Sequence, residues 1–128
     1  MSELTMGVNW LAVAVSTVVS FMLGGLWYSK MMFGEKWAAG VGVEMGDGST
    51  QPVLALVLQF IGTFLLAWLI AITAANEALL LAVLIAVTVS VLIMAACLFG
   101  KNSHYAVVTE GGFVIAMLVI MILCQAVL

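Results

Sequence analysis

The sequence predicts an all-α integral membrane protein: four transmembrane helices in two antiparallel hairpins, with a short interfacial amphipathic segment after the first helix. Three observations carry that expectation. Four apolar stretches, at about 8–27, 52–74, 78–99 and 107–128, take up most of the 128 residues. Each reaches roughly 30 Å as a helix, the hydrocarbon thickness of a bilayer. Hydrophobic side chains make up 66% of the chain and charged ones 7%, with a mean hydropathy of +1.35, more than a water-soluble core of this size needs. Charges are also segregated. Only Glu110 falls well inside a span, while Glu3, Lys30, Glu35, Lys36, Glu44, Asp47, Glu77, Lys101 and His104 sit at ends or in connections. A charge at the bilayer centre costs about 3 kcal/mol or more, which accounts for that placement.

Helices rather than a barrel are expected, because the apolar runs are continuous and show no alternation. The whole of 1–128 reads as a single transmembrane domain. A net charge of −3 and the lack of arginine argue against nucleic acid or an anionic lipid patch as partner. No cofactor-binding motif is present, so no cofactor is expected.

The first span, 8–27, lacks the basic leader and small-residue cleavage site of a signal peptide and is expected to stay in the mature chain. The three lysines lie in the first and third connections. By the positive-inside rule both termini then lie outside the cytoplasm, in a bacterial inner membrane. The first connection, 28–51, has an apolar half and a glycine-rich polar half. Thr50 or Gln51 is placed to cap the second span, with Pro52 in its first turn. Ala75, Asn76 and Glu77 form a link so short that the second and third spans must be antiparallel neighbours. Gly100 ends the third span, and Asn102 or Ser103 can cap the fourth. Cys97 and Cys124 fall inside spans without paired spacing and read as buried free thiols.

Small residues recur at every fourth position. The series are Ala12, Ser16, Ser20, Gly24; then Ala55, Gln59, Thr63, Ala67, Ala71; then Ala78, Ala82, Ala86, Ser90; and a shorter one, Gly112 and Ala116. In lipid, close approach over small residues supplies much of the attraction between helices, so these stripes are expected to be packing faces and to favour self-association. Gln59 stands out because a primary amide in hydrocarbon needs partners. Ser16, Ser20 or Thr63 could satisfy it as structural glue, or it could line a pathway.

The string Gly24 to Trp37 is the most distinctive. Trp27, Tyr28, Lys30, Phe33, Lys36 and Trp37 fit an anchor at the headgroup level, where rings are half apolar and lysines reach lipid phosphates. The glycines Gly24, Gly25 and Gly34 also permit an inward fold, as a lid over a pathway.

With Val8, Asn9, Trp10, Leu11 and Ala12, this string resembles the bacterial membrane family called domain of unknown function 1761. The resemblance lies in the length, the four spans, the Asn-Trp opening and the Gly-x-Leu-Trp-Tyr-Ser segment followed by Phe-Gly and a tryptophan. Leu98, Phe99, Gly100 and the pair Gly112, Phe113 match its later half. Lys30 stands where the family's proline is expected. The resemblance implies the fold and no activity.

Glu110 is the leading candidate for chemistry, a carboxyl able to carry protons or hold a cation. It could equally be satisfied structurally by the amino-terminal dipole of its helix, by Lys101 or His104, or by interfacial water. Glu44 and Asp47 lack the spaced oxygen ligands of a calcium loop, so no metal is expected. The expected function is a homo-oligomeric small channel or transport-like protein. The alternatives are a proton-coupled small-solute transporter and a non-transporting accessory subunit bound to another membrane protein. An enzyme is not expected, because no nucleophile and base pair exists.

Overall fold

Asn9 decides where the first span begins. Its side chain accepts a hydrogen bond from the amide of Ala12 at 3.1 Å, satisfying one of the donors that a helix start leaves without an intrahelical partner. In this computed structural model, which describes residues 2–29, 31–42 and 53–128, six helices follow one another. They are α1 (Ser2–Thr5), α2 (Trp10–Trp27), α3 (Gly34–Val41), α4 (Val53–Ala75), α5 (Leu79–Phe99) and α6 (His104–Val127). The roles expected for Lys30, Glu44, Asp47, Thr50, Gln51 and Pro52 lie outside the described residues.

Four of these helices, α2, α4, α5 and α6, are long and apolar enough to cross a membrane, so the all-α, four-span class holds. Two span starts differ from the sequence expectation by two residues or more, and one short helix is added. The first span starts at residue 10 rather than 8, because Asn9 takes extended backbone as the cap. The last starts at 104 rather than 107: Ser103 is its cap and accepts from the amide of Ala106 at 3.1 Å. The short turn α1, not foreseen, is tied down when the Trp68 indole donates to the Leu4 carbonyl at 2.7 Å.

Two tight turns close helix ends in the same way. After α4, the amide of Glu77 donates to the Ala74 carbonyl and that of Ala78 to the Thr73 carbonyl. After α5, Lys101 donates to Leu98 and Asn102 to Cys97. Both pairs are Schellman motifs, which need a left-handed residue just past the helix. Gly100 was expected to end α5, and it does cap it, but with φ −76°. The left-handed positions belong to Lys101 (φ 62°) and Glu77 (φ 53°), both carrying a Cβ.

α6 is the helix around which the others gather. It packs against α2, α3, α4 and α5, and 44% of its apolar window is buried against 17% for α5. Helix α2 lies against α4, with Trp10 beside Trp68 and Phe21 beside Phe60, so the two run antiparallel. The small-residue stripes supply much of the packed surface. Ala12, Ser16 and Ser20 are buried, as are Thr63, Ala67 and Ala71, and Ala82, Ala86 and Ser90. Two corrections apply. Ala55 and Gln59 are exposed, so the α4 stripe is a contact face only from Thr63 onward. In α6 the buried glycine is Gly111 rather than Gly112. A Cβ on Gly111 would lie 2.5 Å from Met94 Sδ, and the Ser90 hydroxyl donates to its carbonyl at 3.0 Å, so α5 and α6 meet at this bare backbone.

Candidate functional site

The aromatic string after α2 folds back onto the start of α6. Phe33 donates its amide to the Trp27 carbonyl, and Gly34 donates to Ser29 at 2.9 Å. This reversal needs glycine at position 34, because a Cβ there would strike the carbonyl oxygens of Tyr28 and Ser29. At its far end α3 is held to α6 by backbone. The amide of Ser103 donates to the Gly40 carbonyl at 3.0 Å, and a Cβ on Gly40 would collide with Ser103 Oγ.

Between these two fastenings lies Glu110. The Tyr28 phenol donates to its Oε2 at 3.0 Å and the Trp37 indole to its Oε1 at 2.8 Å. The Trp27 indole, one residue before Tyr28, donates to the carbonyl of Thr109 at 3.1 Å. Rings close the space around the carboxylate. Tyr28 meets Trp37 edge-on at 4.8 Å and Phe113 at 5.5 Å, and Trp27 lies 4.7 Å from Phe33.

Lys101 and His104 were among the candidates expected to satisfy Glu110, beside the helix dipole and interfacial water; the side chains that donate to its two oxygens are instead the neutral Tyr28 and Trp37. Lys36 instead sets its ammonium 5.5 Å over the Tyr105 ring. Glu110 lies seven residues past the cap Ser103, about 10 Å along the axis of α6. Burial pushes the Tyr28 phenol well above its ordinary range, and the charge of Glu110 and the hydrogen bond to it push further in the same direction. The phenol therefore stays protonated and remains a donor.

A hydrogen bond to a carboxylate contributes about 1.5–3 kcal/mol, more than one between neutral groups. Protonation changes the arrangement. The carboxyl hydroxyl becomes a donor and a poor acceptor, so one of the two fastenings weakens while the other persists.

The other candidates are placed as follows. Gln59 is exposed on α4, and its backbone carbonyl, not its amide, is met by the Thr63 hydroxyl at 2.7 Å. Ser16 turns its hydroxyl to the Val13 carbonyl. Gly24 sits against the tip of the Phe113 ring. Trp27, Tyr28, Phe33 and Trp37 are half-buried and Lys36 is exposed. At the opposite end of the bundle, a recess of about 190 Å³ is lined by residues including Thr73, Glu77 and Gln125. Among the described residues no group of three or more metal-ligating side chains gathers.

Sequence reasoning found Glu110 and the string separately but did not join them. The signal was present: an intramembrane acid needs donors, and Trp27, Tyr28 and Trp37 are the apolar-bodied donors the chain offers near one end. Residues 11–126 match the family described as "Protein of unknown function (DUF1761)". No curated protein and no solved structure matches the chain.

Proposed function

Because the chain belongs to the DUF1761 family, whose description records no activity, its role has to be read from the site, and we propose a homo-oligomeric small channel or transport-like protein in which Glu110 is the proton- or cation-holding group. The carrying observation is that Glu110, inside a membrane-crossing helix, is bonded to Tyr28 and Trp37. Both are neutral, so its charge stays available to a passing cation or proton. Among the described residues its hydrogen-bond donors are these two, and intramembrane acids commonly mark ion and proton pathways. The α3 segment, fastened over this acid, acts as the lid. Self-association supplies the enclosed space that four helices alone do not. The setting is a bacterial inner membrane with both termini outside, a reading that rests on the placement of the three lysines.

The test is flux of protons, followed with a pH-sensitive dye in liposomes carrying the purified protein. Flux that Glu110→Gln abolishes, from a protein whose mass in mild detergent is a discrete oligomer, supports the proposal. A monomer without flux of protons or of potassium ions overturns it in favour of a non-transporting accessory subunit.

A further inference from the structure

Helices α2 and α6 run antiparallel in a register that four contacts define. Tyr28 meets Glu110, Trp27 meets Thr109 and Phe113, and Gly24 meets Phe113, whose Cζ would lie 3.1 Å from a Cβ at that position. Each step of four residues back along α2 is matched by about three forward along α6. One step further, the same register brings Ser20 to the level of about residue 116, and then Ser16 to that of about residue 119.

Ser20 is unusual. It is fully buried, and its hydroxyl has no hydrogen-bond partner among the described residues. Serine hydroxyls in membrane helices ordinarily donate back to a carbonyl of the preceding turn, as Ser16 and Thr17 do here toward Val13. A buried hydroxyl left unbonded is destabilising, so packing alone is a poor reason for serine where alanine would fit. On the face shared by Ser16, Ser20, Gly24 and Tyr28, polar groups therefore run from mid-span to Glu110 and are interrupted at one place. There Gly24 presents no side chain, and the 4% exposed Phe113 ring fills the notch.

We propose that Phe113 is the barrier in a proton pathway, separating the Glu110 site from a buried polar station at Ser20 and Ser16. This inference rests on the transport-like reading of the Glu110 site. Protons carried by water are the species, because a metal cation would need several oxygen ligands to replace its hydration shell, and two serine hydroxyls do not supply them. A proton moves along such a file when each oxygen accepts one on a lone pair and releases its own to the next. No hydroxyl changes its charge, and no other reactant is consumed. When the ring swings from Gly24, water joins Tyr28 and Glu110 to Ser20.

The test places a thiol at the station. Ser20→Cys is introduced with Cys97 and Cys124 replaced by serine, and its reaction with a membrane-impermeant thiosulfonate is followed in sealed vesicles, added on either side. Phe113→Leu removes the ring tip that reaches Gly24 while keeping the position apolar, and Phe113→Ala is run beside it. The expected result is a thiol that is inert behind Phe113 and reacts about tenfold faster or more in the leucine variant, the factor given by lowering a barrier by about one hydrogen bond. Proton flux rises in step and is still abolished by Glu110→Gln. A thiol equally inert in both Phe113 variants, each with an unchanged melting temperature, overturns the barrier. Glu110-dependent flux in that case leaves the transport reading standing. A thiol that becomes reactive in protein without any flux has the opposite meaning: the barrier stands and the transport reading falls.

Discussion

The Tyr28 phenol donates to Glu110 Oε2 at 3.0 Å, across 82 positions of chain. It fastens the end of α2 to the second turn of α6. Tyr28→Phe keeps the ring that packs on Trp37 and Phe113 and removes only the donor. The variant is expected to be less stable by about 2 kcal/mol, the size of a hydrogen bond to a charged group. Unfolding in mixed detergent micelles measures this, and a double-mutant cycle with Glu110→Gln should return a coupling of about 1 kcal/mol or more.

The same pair has a signature in alkaline solution. The Tyr28 phenol is pushed above its ordinary value of 10.0, first by burial and then by Glu110. A folded-state value above the unfolded one favours the protonated form in the fold. That contribution is fully present below about pH 10 and is lost as pH rises beyond it, because the unfolded chain releases its proton first. In a Tyr105→Phe background, tyrosinate absorbance should stay absent while the protein is folded near pH 10, then rise together with unfolding. Glu110→Gln should lower the midpoint yet leave it above ordinary, since burial remains. A midpoint at the ordinary value in the folded protein would count against the pairing.

Gly40 and Ser103 form the second fastening of α3. Gly40→Ala puts a methyl group where Ser103 Oγ sits and is expected to cost about 1–3 kcal/mol, the usual range for overpacking. Ser103→Ala loses only the cap of α6, about 1 kcal/mol. Trypsin reads the difference. Lys36 is exposed on α3, and cleavage after it should accelerate in Gly40→Ala well beyond Ser103→Ala, because α3 and not just the end of α6 has come loose.

Lys101 and Glu77 occupy left-handed backbone at the two Schellman turns. Glycine adopts that conformation without the steric cost of a Cβ. Lys101→Gly and Glu77→Gly should each raise stability by roughly 1 kcal/mol. An unchanged or lower melting temperature in detergent for both would mean that these side chains make compensating contacts. Glu77 borders the recess at the far end of the bundle, so its glycine variant also reports whether that carboxylate matters to the fold.

The spans were legible because their signal is physical and repeated: a bilayer imposes length, apolarity and charge exclusion on every helix at once. The stripes were legible for the same reason, and Ala12, Ser16, Ala67, Ala82, Ala86 and Ser90 are buried as packing faces should be. Their limits were not. Gln59 shares the period of Thr63 and Ala67, yet it is exposed, because a period of four states which residues share a face and not where along a helix a neighbour lies. The site was half legible. Glu110 stood out as an acid in an apolar run, but its partners lie 73 and 82 positions away, and no local pattern encodes a pairing across that distance. The start of α6 was legible in its cap, since Ser103 was one of the two candidates, although the apolar run itself begins only at about Val107.

The central position of α6 has a consequence for how the protein comes to be made. Of the four spans it is the last to leave the ribosome, and it brings the acceptor for the hydrogen bonds of the Tyr28 phenol and the Trp37 indole. Until it inserts, the aromatic string has nothing to close upon, and α5 lacks the backbone groove at Gly111 that receives Ser90 and Met94. The donors are thus made before their acceptor, and the site closes when α6 packs against α2 and α3. A nascent chain stalled before Ser103 would hold both donors without the carboxylate that receives them.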